Sequence, residues 1–473
     1  MRGGQRTLSF TYMAGSGDLP PLQESTSKNY FALGGFMKNR LVLTLILFLI
    51  LSGLSSAQDI YTAGEACLKK GDWDNAVVHL KEALQQDPAN PKILRDLGQA
   101  YYHLGKFDPS LECLHQAYLL DSLDFQTTLY LGLNYERKGD SERAQEVYQK
   151  YLQPGQKPRG TKKIRARLSW LNQQQIKKQI QAALANEIPS GDMALIPENS
   201  VTVLYFKDLS NNGKFDPLSK GIAEFITTDL SKTKKLQVVE RMRLQTLLEE
   251  LRLTEAGIVD SSTAPRIGRI LGVGNMISGT IEEWGGQNLK MASGRLDVLT
   301  GSYDPVGEFS GRLDQFFRLE KKLVFGMIDH LGITLTKEER DEIAEVPTEN
   351  LLAFLAYCEG LNYQDRGDYR EAADKFKDAY SRDHNFIEAR EEEQRSRDLL
   401  EGGVGIEKFE ESCTSLIEKG NEDKNKGERL QGSVSNVTGD FIPDDPNAPA
   451  EDQSKGKPQV GSEGTVIIKG TIH

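Results

Sequence analysis

The sequence predicts an α+β multidomain chain: an N-terminal all-α solenoid of helix pairs, a central α/β domain, and a C-terminal single helix pair followed by a disordered tail. Three observations point there. Gly64, Gly98 and Gly132 recur at a constant step, and each is followed twelve residues later by a small residue, Ala76, Ser110 and Ala144. Between residues 198 and 335 the spacing of apolar residues switches between the period of a strand and that of a helix. From about Gly420 to Ser462 the chain is rich in Gly, Asp, Lys, Asn and Pro, with too little apolar surface to offset the entropy of ordering it. The 473 residues suffice for several domains, and the formal net charge of −11 argues against nucleic acid as a partner.

At the N-terminus, residues 1–36 show no pattern and are expected to be a disordered extension or to precede a true start at Met37. Lys38 and Arg40 lead into the apolar run Leu41 to Leu54, and Ser55-Ser56-Ala57 follow, which together read as a signal peptide over residues 37–57. Cleavage there leaves a mature chain beginning at Gln58. The apolar run is short of the roughly 20 residues that span a bilayer. No cysteine stands next to the cleavage site to carry a lipid, and Cys67, Cys113, Cys358 and Cys413 have no metal-ligand or redox spacing, so buried single thiols are expected.

Around the repeating glycines stand Leu94-x-x-Leu97-Gly98-x-x-Tyr101 and Leu131-Gly132-x-x-Tyr135, and behind the small residues come Leu80, Leu114 and Tyr148. The pattern resembles the tetratricopeptide repeat, in which small residues let paired helices approach and large ones fill the space between stacked pairs. A further copy lies at residues 347–400, where Gly360, Tyr363, Ala372, Phe376 and Ala379 keep the same spacing. One pair cannot bury its apolar face alone, so this copy should dock on the middle domain or on another subunit. The resemblance implies a protein or peptide partner in the groove formed by the first helix of each pair. Arg95, Gln99, Tyr102, Leu133 and Glu136 are the candidates there, with plain solvated helix positions as the alternative. The Lys- and Arg-rich stretch from Gly155 to Ile188 is either a helix capping the array, which therefore covers residues 58–188, or an amphipathic helix for an acidic surface.

The middle domain reads as a strand over Ser200 to Ser210, a helix over Pro217 to Leu230, a strand at Leu236 to Val239, and a helix carrying Leu244, Leu247, Leu248 and Leu251. A short helix ends at Gly272, a three-strand meander runs from Asn275 to about Phe309, and a helix covers Leu313 to Leu331. The strand-to-helix junction Val239-Glu240-Arg241 has no glycine loop and is read as a packing device. GRILGVG follows a helix and precedes a strand, the reverse of a phosphate-binding loop.

Four blocks in this region, VVERMRLQTLLEELRL, ILGVGNMISGTIEEW, GRLDVLTGSY and DQFFRLEKKLVFGMIDHLGI, resemble the CsgG family, whose founding member is the outer-membrane secretion channel for curli subunits. The resemblance implies a non-enzymatic domain at residues 198–335 that acts in envelope assembly, forms a homo-oligomer or docks on protein partners, and associates with the outer membrane. It implies no cofactor. The meander has room only for the domain's own strands, and the lipid-bearing cysteine is absent, so a pore is not the first expectation.

The six histidines do not cluster with carboxylates or cysteines and are read as surface residues. Glu249-Glu250, Glu282-Glu283 and Glu391-Glu392-Glu393 are read as solvated runs, and no hydrolase, metalloprotease or nucleotide motif occurs. The tail, residues 420–473, closes with GTVIIKGTIH, a β-prone segment that is either suited to adding to a sheet edge or an aggregation-prone end without a function. The expectation is an exported periplasmic scaffold. The alternatives are a curli-type outer-membrane channel subunit and a regulator of periplasmic cell-wall synthases.

Overall fold

Seven residues after each repeat glycine stands another, and all four of these, Gly71, Gly105, Gly139 and Gly367, have φ between 70° and 80°. They sit where the first helix of a pair turns into the second, a left-handed position that a side chain would strain. The computed structural model describes residues 58–417 apart from 154, 156–157, 187–195, 211–216, 254–262 and 285–287. The expected extension, signal peptide and tail lie outside the described residues. The chain divides into two units after Leu104, inside the second repeat.

In the first unit, helix α1 (58–70) is followed by α2 (Trp73–Gln86) and α3 (Pro91–His103). Gly64 lies against Leu80, where a Cβ would come within 2.8 Å of the leucine. Asp72 caps α2 through the Asn75 amide, and Asn90 with Pro91 behind it starts α3. The histidines are not all surface residues as expected: the His103 ring stacks on Trp73 at 3.8 Å, and burial lowers its pKa to about 4.

The second unit begins with α4 (Phe107–Leu120), α5 (Phe125–Arg137), α6 (Ser141–Tyr151) and the 25-residue α7 (Thr161–Ala185). Gly132 of α5 lies under the Tyr148 ring of α6 with no room for a Cβ. Next come β1 (Ser200–Val203), β2 (Lys207–Asp208), α8 (Leu218–Ser231), β3 (Gln237–Val238), α9 (Arg241–Leu251) and α10 (Ala264–Leu271). The ten-residue strands β4 (Asn275–Trp284), β5 (Asn288–Asp297) and β6 (Tyr303–Arg312) form the expected meander, followed by α11 (Phe316–His330). The sheet order is β3-β1-β4-β5-β6, with β1 parallel to β3 and β4, and with β2 also beside β4. The single strand expected over Ser200 to Ser210 is broken. Phe206 spends its backbone on α8, its N–H donating to the Ser219 carbonyl at 3.4 Å and its carbonyl accepting from the Ser219 hydroxyl. Its ring fills the space above Gly279.

After α12 (Lys337–Ala344), the downstream repeat copy forms α13 (Leu351–Asp365) and α14 (Tyr369–Arg382), and α15 (Ile387–Gly402) and α16 (406–417) follow. It docks on the middle domain of its own chain. Gly221 of α8 lies against Cys358, Phe225 meets Phe354 at 4.6 Å between ring centroids, and both helix pair and sheet contribute to one apolar core. Cys358 and Cys413 are buried as expected, whereas Cys67 and Cys113 are half-buried.

Candidate interaction site

The basic helix α7 is where the repeat helices and the sheet domain meet within the second unit, since it packs on α6, on α9 and α10, and on α15. Three of its cations, Lys163, Arg165 and Arg167, are engaged within the protein, while Lys162, Lys177 and Lys178 are exposed. Arg167 is 1 % exposed, and its guanidinium donates to both Glu136 oxygens at 2.7–3.1 Å and to the carbonyls of Gly402 and Val404 at 2.6 and 2.8 Å. The guanidinium carbon lies over the Trp170 ring, 4.4 Å from its centroid. Arg165 pairs with Asp398 at 2.6 Å, and Lys163 pairs with Glu401. Gly402 is required because the Ala166 carbonyl occupies the place of a Cβ. Of the two readings of this stretch, the geometry is that of a cap: a charge buried in this way must be hydrogen-bonded throughout to repay its desolvation.

These contacts decide the surroundings of two sequence-derived candidates. Leu133 is fully buried, and the Glu136 side chain is 3 % exposed, held by Arg167 and by the Tyr148 hydroxyl at 3.1 Å. They were expected on an open groove and instead lie inside the second unit, Glu136 under Arg167 of α7. The other three candidates are in the first unit. Arg95 pairs with Asp96 at 2.7 Å, and Asp96 also accepts from the Tyr61 hydroxyl at 2.8 Å, tying α1 to α3. Gln99 is half-buried and Tyr102 is buried.

A second buried charge group lies at the β3–α9 junction. Arg241, 4 % exposed, donates to Glu224 at 2.9 Å, to Asp365 at 2.5 Å and to the Gln364 side-chain oxygen at 3.1 Å, and Lys220 reaches the other Asp365 oxygen at 2.9 Å. Burial opposes the Arg241 charge, but Asp365, Tyr205 and Glu224 outweigh it and raise its pKa. Desolvation raises the Glu224 pKa against the pull of Arg241. Glu392 was expected in a solvated run, and the structure corrects this. Its side chain is buried, accepts from Gln364 at 2.7 Å, and pairs with Arg395 at 3.2 Å. A cleft of ≈ 270 Å³ opens beside this group, with Glu224, Glu240, Arg241, Glu388, Glu391 and Arg395 in its walls. A buried arginine in a junction without glycines gave no motif to find; the only signal was a charged residue at the base of a leucine stripe.

Between α8 and α11, Asp229 and Glu320 are each 1 % exposed, with Lys321 at 2.5 Å and Lys232 at 2.9 Å from Asp229. Burial, then Asp229, pushes the Glu320 pKa up to about 8. Each of these groups ties one helix to another, and none places a nucleophile beside a base. Among the described residues no group of His, Cys, Asp and Glu could hold a metal ion, and no helix is long and apolar enough to cross a membrane.

The family model described as "Curli production assembly/transport component CsgG" matches residues 185–302, from the last turn of α7 to the turn before β6. Two repeat models match further upstream, "TPR repeat" at residues 64–105 and "Tetratricopeptide repeat" at 95–159. No curated protein matches the chain. Among solved structures, the TPR domain of Sgt2 from Aspergillus fumigatus is similar at 22% identity, covering 29% of this chain and 87% of that one, with a TM-score of 0.24. The C-terminal domain of LpoB from Salmonella enterica is similar at 14% identity, covering 29% of this chain and 95% of that one, with a TM-score of 0.22. The complex of the TPR2AB domain of yeast Sti1 with pHSP90 is similar at 12% identity, covering 73% and 98%, with a TM-score of 0.25. The chain therefore combines a region similar to CsgG with a region similar to tetratricopeptide repeats.

Proposed function

We propose that this chain is an exported, non-enzymatic scaffold of the bacterial cell envelope, in which the repeat helices bind a protein partner and the CsgG-like domain places that partner in an outer-membrane assembly or secretion complex. The observation that carries the reading is α7. The repeat and CsgG matches lie on one chain, and this one helix packs on α6 of the repeats and on α9 of the CsgG-like domain. α7 thereby ties the repeat helices of the second unit to the CsgG-like domain. The buried ion pairs support a structural rather than a chemical use of the chain's ionisable groups. Arg95 and Gln99 are the residues proposed to meet the partner, the buried Tyr102 being withdrawn with Leu133 and Glu136, and the CsgG-like domain is proposed to associate with further copies of itself.

The signal-peptide pattern supports a periplasmic location with outer-membrane association. A scaffold is favoured over a channel subunit because β4 and β5 are paired along their whole length within the domain's own sheet. The test is fractionation of the tagged full chain, with the mature N-terminus sequenced, each fraction sized by light scattering, and crosslinked partners identified. A soluble periplasmic chain starting at Gln58 that loses a crosslinked protein on Gln99→Ala and Arg95→Ala agrees with the scaffold. A ring-sized species in the outer-membrane fraction transfers the reading to the channel, recovery of a cell-wall synthase alone transfers it to the regulator, and retention in the cytoplasm overturns all three.

A further inference from the structure

β6 ends the sheet, and among the described residues it pairs only with β5. An edge strand presents a row of unpaired N–H and C=O groups and is a template for another strand unless something covers or blunts it. Here the blunting is confined to the first half: Pro305 lacks an N–H, and the register slips beside it at Ser293/Gly294. From Gly307 to Arg312 the edge is regular. One face of this half is half-buried, with Phe309 close to Gly326 of α11 and Gly311 close to Leu319, and the other face carries exposed Glu308, Ser310 and Arg312. A strand added here must therefore alternate, apolar toward α11 and polar toward water.

We propose that the edge of β6 from Gly307 to Arg312 is a strand-addition site, and that its occupant is residues 464–473 of the same chain. That segment lies outside the described residues, and its sequence has the required alternation. Val466, Ile468 and Ile472 fall on one face, and Thr465, Lys469, Thr471 and His473 on the other, with Ile467 the exception. Lys469 is opposite in sign to Glu308, whose carboxylate already pairs with Lys290 of β5 at 2.9 Å and would be shared between the two lysines. The 46 residues from 418 to 463 have the composition of a flexible tether, for which the average span is roughly 34–41 Å, beyond the ~20 Å radius of gyration of a unit of about 300 residues. Such a tether also keeps the segment at an effective concentration near the millimolar range, which favours its own β6 over that of another copy.

Hydrogen exchange of the full chain tests this against a chain truncated after Glu463 and against the full-length Ile468→Pro variant, which keeps the tether and breaks the strand. The expected result is that amides within 307–312 exchange about tenfold faster in both variants, with β4 amides unchanged. Equal exchange at β6 in all three chains overturns the proposal. Protection of β6 that rises with protein concentration, together with a doubled mass in light scattering, overturns it in favour of a second copy as the occupant.

Discussion

The helix pairs α5–α6 and α13–α14 are built on the same interior contact and end in opposite surroundings. In each, a glycine of the first helix lies under an aromatic ring sixteen residues on, Gly132 under Tyr148 and Gly360 under Phe376. In each, a second glycine with positive φ makes the turn, Gly139 and Gly367. Yet α5–α6 is closed by a buried arginine that spends its hydrogen bonds on Glu136 and two carbonyls, while α13 lays Phe354 and Tyr357 against Phe225 and Phe386 in the main apolar core and meets a buried arginine, Arg241, only at its last residues, Gln364 and Asp365. The repeat spacing sets how two helices approach each other. It does not set what covers them, and that choice determines how each joint fails.

Arg167→Ala strands the Glu136 charge and two carbonyls, and should lower stability by about 3–5 kcal/mol in urea unfolding. Glu136→Leu with Arg167→Met should recover part of that loss, because the expensive step is leaving one charge unpaired. At the apolar joint, Phe354→Ala should cost about 3–5 kcal/mol as a cavity. No second substitution of a charged residue should restore it. Equal rescue at both joints, or none at either, would erase the distinction.

A different sensitivity, to pH, belongs to the α8–α11 contact. Folding raises the Glu320 pKa from about 4.3 in an unfolded chain to about 8, so between these values the folded chain holds an extra proton. Stability should fall as pH rises through that window, by at most ~1.4 kcal/mol per pH unit, and level off above it. Glu320→Gln is neutral throughout and should flatten the slope; an unchanged slope would place the titration elsewhere.

The shared contact has its own prediction. Gly132→Ala and Gly360→Ala should each cost roughly 1–3 kcal/mol by overpacking, and by similar amounts despite the different covers. A large inequality in melting temperature would mean that the cover, and not the ring, sets the approach. The smallest effect is expected at α12, where Thr336 and Glu339 form a capping box that touches neither joint. Thr336→Ala should cost about 1 kcal/mol.

Much of this fold was legible because its signals are local. The meander strand Asn275–Trp284 was readable to the residue, since its β-prone run is bounded in sequence by the pair Gly285-Gly286. The turn glycines Gly71, Gly105 and Gly139 carried a second constant step that the reading of Gly64, Gly98 and Gly132 passed over. The break at Phe206 was not legible, because it depends on Ser219 thirteen residues away. Of the candidate partner residues, Leu133 is buried and Glu136 is held by Arg167 of α7, a partner 31 residues away that no local pattern announces. Arg241 and Glu392 looked like ordinary helix charges, and only the meeting of α9, α13 and α15 buries them.

By itself, the sequence determined the helix pairs, their turns, the strand order along the chain and the resemblance of its two regions to known families, all of which follow from periodicity and residue size over short spans. Only the tertiary structure decided that the downstream helix pair completes the core of the sheet domain, that the basic helix is a cap, and which charges are buried. The reason is physical: the desolvation of an arginine is set by what surrounds it from every side, and its partners here lie up to 237 residues away along the chain.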